Sequence, residues 1–93
     1  IYMNNSDGNF ITGNYIGTNI TATAIAASRP VNAIHAFSSD NLTVGGTGGQ
    51  IDRNIISGST QSGIRLEGSS GAVIINNYVG TDVTGNVGLG NGE

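Results

Sequence analysis

The sequence predicts an all-β fold, a parallel solenoid of about three coils. Three observations predict it. Apolar residues come in short alternating bursts punctuated by Gly, Asn and Ser, which is the pattern of strands and turns. Helix formers such as Glu, Lys, Leu and Gln are scarce. The chain also repeats itself: Asn14-Tyr15-Ile16-Gly17-Thr18 returns as Asn77-Tyr78-Val79-Gly80-Thr81, an offset of 77 − 14 = 63 residues. At the same offset Ile1, Ser6, Gly8 and Thr21 meet Ile64, Ser69, Gly71 and Thr84. Apolar residues face apolar ones at Met3/Leu66, Phe10/Val73, Ile11/Ile74 and Ile16/Val79. A fixed period of this size marks a repeat architecture.

The bursts group in threes. The first group holds Ile1–Met3, Asn9–Thr12 and Asn14–Gly17. The second holds Ala33–Phe37, Asn41–Val44 and Asn54–Ser57. The third holds Ile64–Glu67, Ala72–Ile75 and Asn77–Gly80. First strands therefore begin near 1, 33 and 64, so one coil takes about half the offset. The coils run approximately over 1–32, 33–63 and 64–93, within a single segment 1–93. Hairpins are a poor fit, because strands two and three nearly touch at Gly13-Asn14 and Asn76-Asn77. A bend that tight redirects a strand without reversing it, and Gly and Asn tolerate the left-handed backbone it requires. The alanine-rich Ile20–Ser28 is the one stretch with a helical turn in its composition. Its threonines and the following Arg29-Pro30 weaken that reading.

Alternation assigns the faces. Ile1, Met3, Ile11 and Ile16 point inward in coil one. Ile34, Ala36, Leu42, Val44 and Ile56 do so in coil two, and Ile64, Leu66, Ile74 and Val79 in coil three. Stacked coils then bury a core that no single coil can bury. Asn14, Asn54 and Asn77 fall at one phase and are expected to hydrogen-bond along the stack as an amide ladder. The connections differ: Thr18–Asn32 and Thr81–Glu93 are long returns, Gly58–Gly63 is short, and Gly45–Arg53 is an insertion inside coil two.

Composition excludes several classes. Lysine is absent, the only basic residues are Arg29, Arg53 and Arg65, and the net charge is −3. That is no footprint for nucleic acid or for an anionic membrane surface. No apolar run reaches the ~18–20 residues of a membrane span. Without cysteine there is no thiol chemistry and no disulfide framework. No signal peptide is visible, so the chain reads as a mature or excised piece. Neither end shows a polar cap, so the expected partner is a copy stacked end to end or a neighbouring repeat of a longer chain.

Asn41-Leu42-Thr43-Val44-Gly45-Gly46-Thr47, Asn54-Ile55-Ile56-Ser57-Gly58, Gly63-Ile64-Arg65-Leu66, Asn77-Tyr78-Val79-Gly80-Thr81-Asp82 and Thr84-Gly85-Asn86-Val87-Gly88-Leu89-Gly90-Asn91 carry a family likeness. They resemble the right-handed parallel β-helix repeat proteins. These are pectate-lyase-like solenoids that recur as long tracts in large secreted or cell-surface microbial proteins. The resemblance covers nearly the whole chain and is weakest at Thr21–Val31. It implies a right-handed parallel β-helix, an extracellular or cell-surface location, and a structural role: stalk, adhesin section or filament subunit.

The alternative role is a carbohydrate-binding module, or the remnant of a polysaccharide-active enzyme. Its candidate surface is the outward face of the first strands. Register sets Tyr2, His35 and Arg65 in one row and Asn4, Phe37 and Glu67 in the next. Aromatic faces beside fixed donors suit a neutral sugar chain. No catalytic set is expected. Asp7 and Asp40 fall at similar bends one coil apart, but Ser70 breaks the acidic row, and glycoside hydrolysis needs a defined carboxylate pair. Asp82 with Thr84 and Asn86 resembles a calcium loop only loosely, so neither metal nor cofactor is expected. Asn4-Asn5-Ser6, Asn19-Ile20-Thr21 and Asn41-Leu42-Thr43 match the N-glycosylation pattern, and Asn19, in a loop, is the best placed acceptor.

Overall fold

The computed structural model describes residues 1–27 and 29–92. Ser28, at the end of the alanine-rich stretch, and Glu93, one of the six acids, lie outside the described residues. The fold is all-β. Three groups of three short strands follow one another: β1 (Tyr2–Asn4), β2 (Phe10–Ile11) and β3 (Tyr15–Ile16); β4 (Ile34–Phe37), β5 (Thr43–Gly45) and β6 (Ile55–Ile56); β7 (Ile64–Glu67), β8 (Val73–Ile75) and β9 (Tyr78–Val79). Each group forms one layer. Strands of like rank pair across layers into three parallel sheets, ordered β1-β4-β7, β2-β5-β8 and β3-β6-β9. Among the described residues no strand pairs with its sequence neighbour, as tight corners without reversal require.

The register is the expected one. Tyr2, His35 and Arg65 are partners in one row, and Asn4, Phe37 and Glu67 in another. Ile11, Val44 and Ile74 stack in the second sheet, and Ile16, Ile56 and Val79 in the third. The corners repeat as faithfully as the strands. Positive φ recurs at Asn5, Ser38 and Gly68 (53°, 50°, 57°), and at Gly8, Asn41 and Gly71 (72°, 57°, 71°). It recurs again at Gly13 and Asn76 (69° and 60°).

The core lies in the middle layer. Ile34, Ala36, Leu42, Val44 and Ile56 are fully buried, with Ile11 and Ala33 beside them. Met3, Ile16 and Ile64 pack against this cluster from the outer layers and are only half-buried. Ile1, Leu66, Ile74 and Val79 were expected in the core but are exposed. Their phase is right. Layer 2 is covered on both sides, whereas layers 1 and 3 are each covered on one.

Two connections depart from expectation. Residues 20–27 form no helical turn. The Asn19 side chain takes the Thr23 and Ala24 N–H groups (3.0 and 3.4 Å), which competes with helical bonding. Ala22, at φ 55°, turns the backbone out of the helical region. The stretch closes instead through an antiparallel bridge between Thr18 and Ile25, and Thr81 and Gly88 make the same bridge 63 residues later. The insertion in layer 2 contains a short 3₁₀ turn, Gly49–Ile51.

Candidate functional site

A polar network runs through the corners where the second strand meets the third. Asn54 is fully buried. Its Oδ1 accepts from Asn14 N–H and Asn14 Nδ2 (2.9 and 3.1 Å), and its Nδ2 donates to Ile11 O and Asn77 Oδ1 (both 2.9 Å). Asn77 repeats the arrangement one layer on: Oδ1 accepts from Asn54 N–H (3.2 Å), and Nδ2 donates to Val44 O (2.9 Å). Each amide thus reaches back to the preceding layer, and the expected ladder is present. Gly45 makes room for it. Its φ is 90°, and a Cβ there would collide with the Ile75 carbonyl and press within 3.0 Å of the Asn77 amide.

The first corner has a second ladder. Ser6 N–H donates to Ser39 Oγ (3.0 Å), and Ser39 N–H donates to Ser69 Oγ (2.9 Å). Beside it the acids run the other way. Asp7 Oδ1 accepts from Asp40 N–H (2.8 Å), and Asp40 Oδ1 accepts from Ser70 N–H (2.9 Å) and Ser70 Oγ (3.2 Å). Asp7 and Asp40 do come together, with each carboxylate holding the backbone of the next layer.

On the outward face of the first sheet, four of the five residues expected there join in one chain of contacts. The Tyr2 and His35 rings meet edge to face, centroids 5.1 Å apart. Glu67 Oε1 lies 2.6 Å from His35 Nε2 and accepts from Arg65 Nε (2.9 Å). The charged groups therefore face one another. Phe37 stands in register beside Glu67 and, like Tyr2, is exposed.

A groove that the sequence did not reveal lies beside the third sheet. Tyr15, Ile55 and Tyr78 are register partners there. Arg53, from the end of the insertion, lies over the Tyr78 ring at 4.1 Å and donates through Nη2 to Asn76 Oδ1 (3.0 Å). The groove holds about 420 Å³ between Tyr15, Asn19, Ile20, Gln50, Ile51 and Arg53. Its one sequence signal is Tyr15, which points outward because its neighbour Ile16 points inward. Its walls come from two loops whose meeting no periodicity encodes.

The loop candidates Asn19 and Asp82 both hydrogen-bond within their own loops. Asp82 is buried and accepts from Thr84 Oγ1 (2.6 Å) and Thr84 N–H (2.9 Å). The Thr84 hydroxyl is the main cause holding its carboxyl below the ordinary value, with smaller help from backbone N–H groups and against the effect of desolvation. No group of three or more His, Cys, Asp or Glu gathers among the described residues. Asn19, the equivalent of Asp82, also binds its own loop: its Oδ1 accepts from Thr21 Oγ1 (3.3 Å) and Thr23 N–H (3.0 Å), and its Nδ2 donates to Thr23 Oγ1 (3.2 Å). No described helix is long and apolar enough to cross a membrane. Comparison with protein-family models, curated proteins and solved structures returned no match.

Proposed function

We propose that the three layers are successive coils of a right-handed parallel β-helix of the pectate-lyase-like kind. In this reading the chain is a structural repeat segment of a secreted or cell-surface protein: a stalk, an adhesin section or an extracellular filament. The direction of the interlayer bonding carries the reading. Corner after corner, polar side chains are spent on the backbone of an adjoining layer, and the same rows run to both outer layers. Right-handedness follows the general rule for crossovers between parallel strands. Asp7 and Asp40, the nearest approach to a catalytic pair, serve as backbone acceptors, which favours a non-enzymatic role. Immunogold microscopy with an antibody against the chain tests this on intact source cells. Label on surface rods or filaments is expected; label only after permeabilisation would overturn the extracellular reading.

A second reading, carbohydrate binding, is favoured by the exposed Tyr15 ring beside Arg53 and Gln50 in the groove, and by Tyr2 and Phe37 on the first sheet. Rings beside amide and guanidinium donors suit a sugar face and its hydroxyls. A polysaccharide panel separates the sites. Loss of binding on Tyr15→Ala locates the ligand in the groove, loss on Tyr2→Ala or Phe37→Ala locates it on the first sheet, and silence across the panel removes the reading.

A further inference from the structure

We propose that the open edge of layer 3 is shaped to receive a layer of the layer-2 kind and to reject one of the layer-1 kind. The inference rests on the stacking reading above and deepens it by naming the partner. Two features separate the kinds. Layers 1 and 3 carry their extra residues in the return loop, Thr18–Asn32 and the stretch from Thr81 onward. Layer 2 returns through the short Gly58–Gly63 and carries its extra residues at the opposite corner, in Gly45–Arg53. Adjacent layers thus bulge at different corners.

The bulges fill the space that their neighbours leave. Adjacent strands in a sheet lie ~4.8 Å apart, so the long returns of layers 1 and 3 start ~10 Å apart. They already touch, since Val83 N–H donates to Ala22 O at 2.8 Å, and Ala22 is fully buried. One long return therefore occupies the height of two layers. The insertion does the same at its corner. Asn76 Nδ2 of layer 3 donates to Gly49 O (2.8 Å) and Gly46 O (3.4 Å). On the other side Ile51 O would lie 2.8 Å from a Cβ on Gly13 of layer 1. A layer-1 kind set directly on layer 3 would bring two long returns within one strand spacing and leave the insertion corner unfilled.

The ladders do not make this choice. Both kinds offer Ser and Asp at the first corner (Ser6-Asp7, Ser39-Asp40) and Asn at the last (Asn14, Asn54). Either would supply the Oγ that Ser69 N–H is placed to meet and the Oδ1 that Asn77 N–H is placed to meet. Backbone and corner chemistry accept any layer, and the loops select.

Two extensions of the 93-residue chain test the selection. In the first, residues 31–93 follow Glu93 directly. Val31 then stands at position 94, and 94 − 31 = 63 keeps the period, so a layer-2 kind meets layer 3. In the second, Val31-Asn32-Ala33 and then residues 1–93 follow Glu93, so Ile1 stands at position 97, where the first extension has Ile34, and a layer-1 kind meets layer 3 at the same spacing. The first extension is expected to unfold in one transition, with Tm raised by about 5 °C or more over the parent. The second is expected to keep the parent's Tm. Replacing Thr18–Asn32 of its appended copy by the Gly58–Ser62 sequence is expected to recover the rise. Equal or greater stabilisation by the unaltered second extension would overturn the selection and leave stacking intact, as would failure of the loop replacement to recover the rise. No rise in any of the three would instead sink the stacking reading itself.

Discussion

Asn54 Nδ2 lies 2.9 Å from Asn77 Oδ1, and that bond joins two layers whose asparagines are separated by 77 − 54 = 23 residues. The matching step from Asn14 to Asn54 is 40 residues, because it spans both the long return Thr18–Asn32 and the insertion before the layer-2 corner. The two steps sum to the 63-residue period. The ladder thus keeps the corner aligned while the chain between corners varies.

The buried amide should be the costliest polar side chain to remove. Asn54→Ala strands the Asn14 N–H and the Ile11 carbonyl, at about 1–3 kcal/mol for each buried group left unpaired. A loss near 3 kcal/mol is expected in urea unfolding. Asn14 is exposed, and Asn14→Ala is expected to cost under about 1 kcal/mol in the same measurement.

Equivalent leucines should differ by layer. Leu42 is fully buried in layer 2, whereas Leu66 in layer 3 is 38% exposed. Leu42→Ala is expected to cost about 2–5 kcal/mol, the range for a buried leucine. Leu66→Ala should cost less than half as much. Equal costs in denaturant titrations would mean that layer 3 is covered by something in solution.

Gly45→Ala is expected to destabilise by about 2 kcal/mol or more, through left-handed strain and displacement of the Asn77 amide. Gly8→Ala, at φ 72° with open space around its Cβ, carries the backbone strain alone and should cost less. Thermal unfolding of the two variants separates strain from collision.

Asp82 gives the fold an acid-sensitive point. Its carboxyl is held below the ordinary value in the fold, so its stabilising contribution is complete above the unfolded value. The contribution is lost as pH falls through the lowered folded value. Asp82→Asn should remove that part of the acid dependence while keeping the loop, because Asn19 at the equivalent position of layer 1 accepts the equivalent Thr21 hydroxyl (3.3 Å). Urea midpoints for both proteins across the acid range check the sign.

Much of this architecture was legible because it is periodic. Strand rank, register and the inward residues follow from alternation and the 63-residue offset, which is how Tyr2, His35 and Arg65 were set in one row. Exposure was misjudged at Leu66, Ile74 and Val79, because alternation gives direction and says nothing of whether a layer lies above. The loops were least legible. Arg53 reaches Tyr78 across layers, and Val83 reaches Ala22 past an intervening layer. Those contacts depend on how far each loop projects. The bonding of the acids was not legible either: Asp7 and Asp40 share one phase, but their acceptance of the Asp40 and Ser70 N–H groups is set by corner geometry that alternation does not encode.

The parallel, in-register stack underlies every claim above, and interstrand contacts by isotope-edited NMR test it most directly. Contacts linking Met3 to Ala36 and Ala36 to Leu66 are expected, with all three strands running the same way. Antiparallel contacts between sequence-adjacent strands, such as β1 with β2 or β7 with β8, would contradict it.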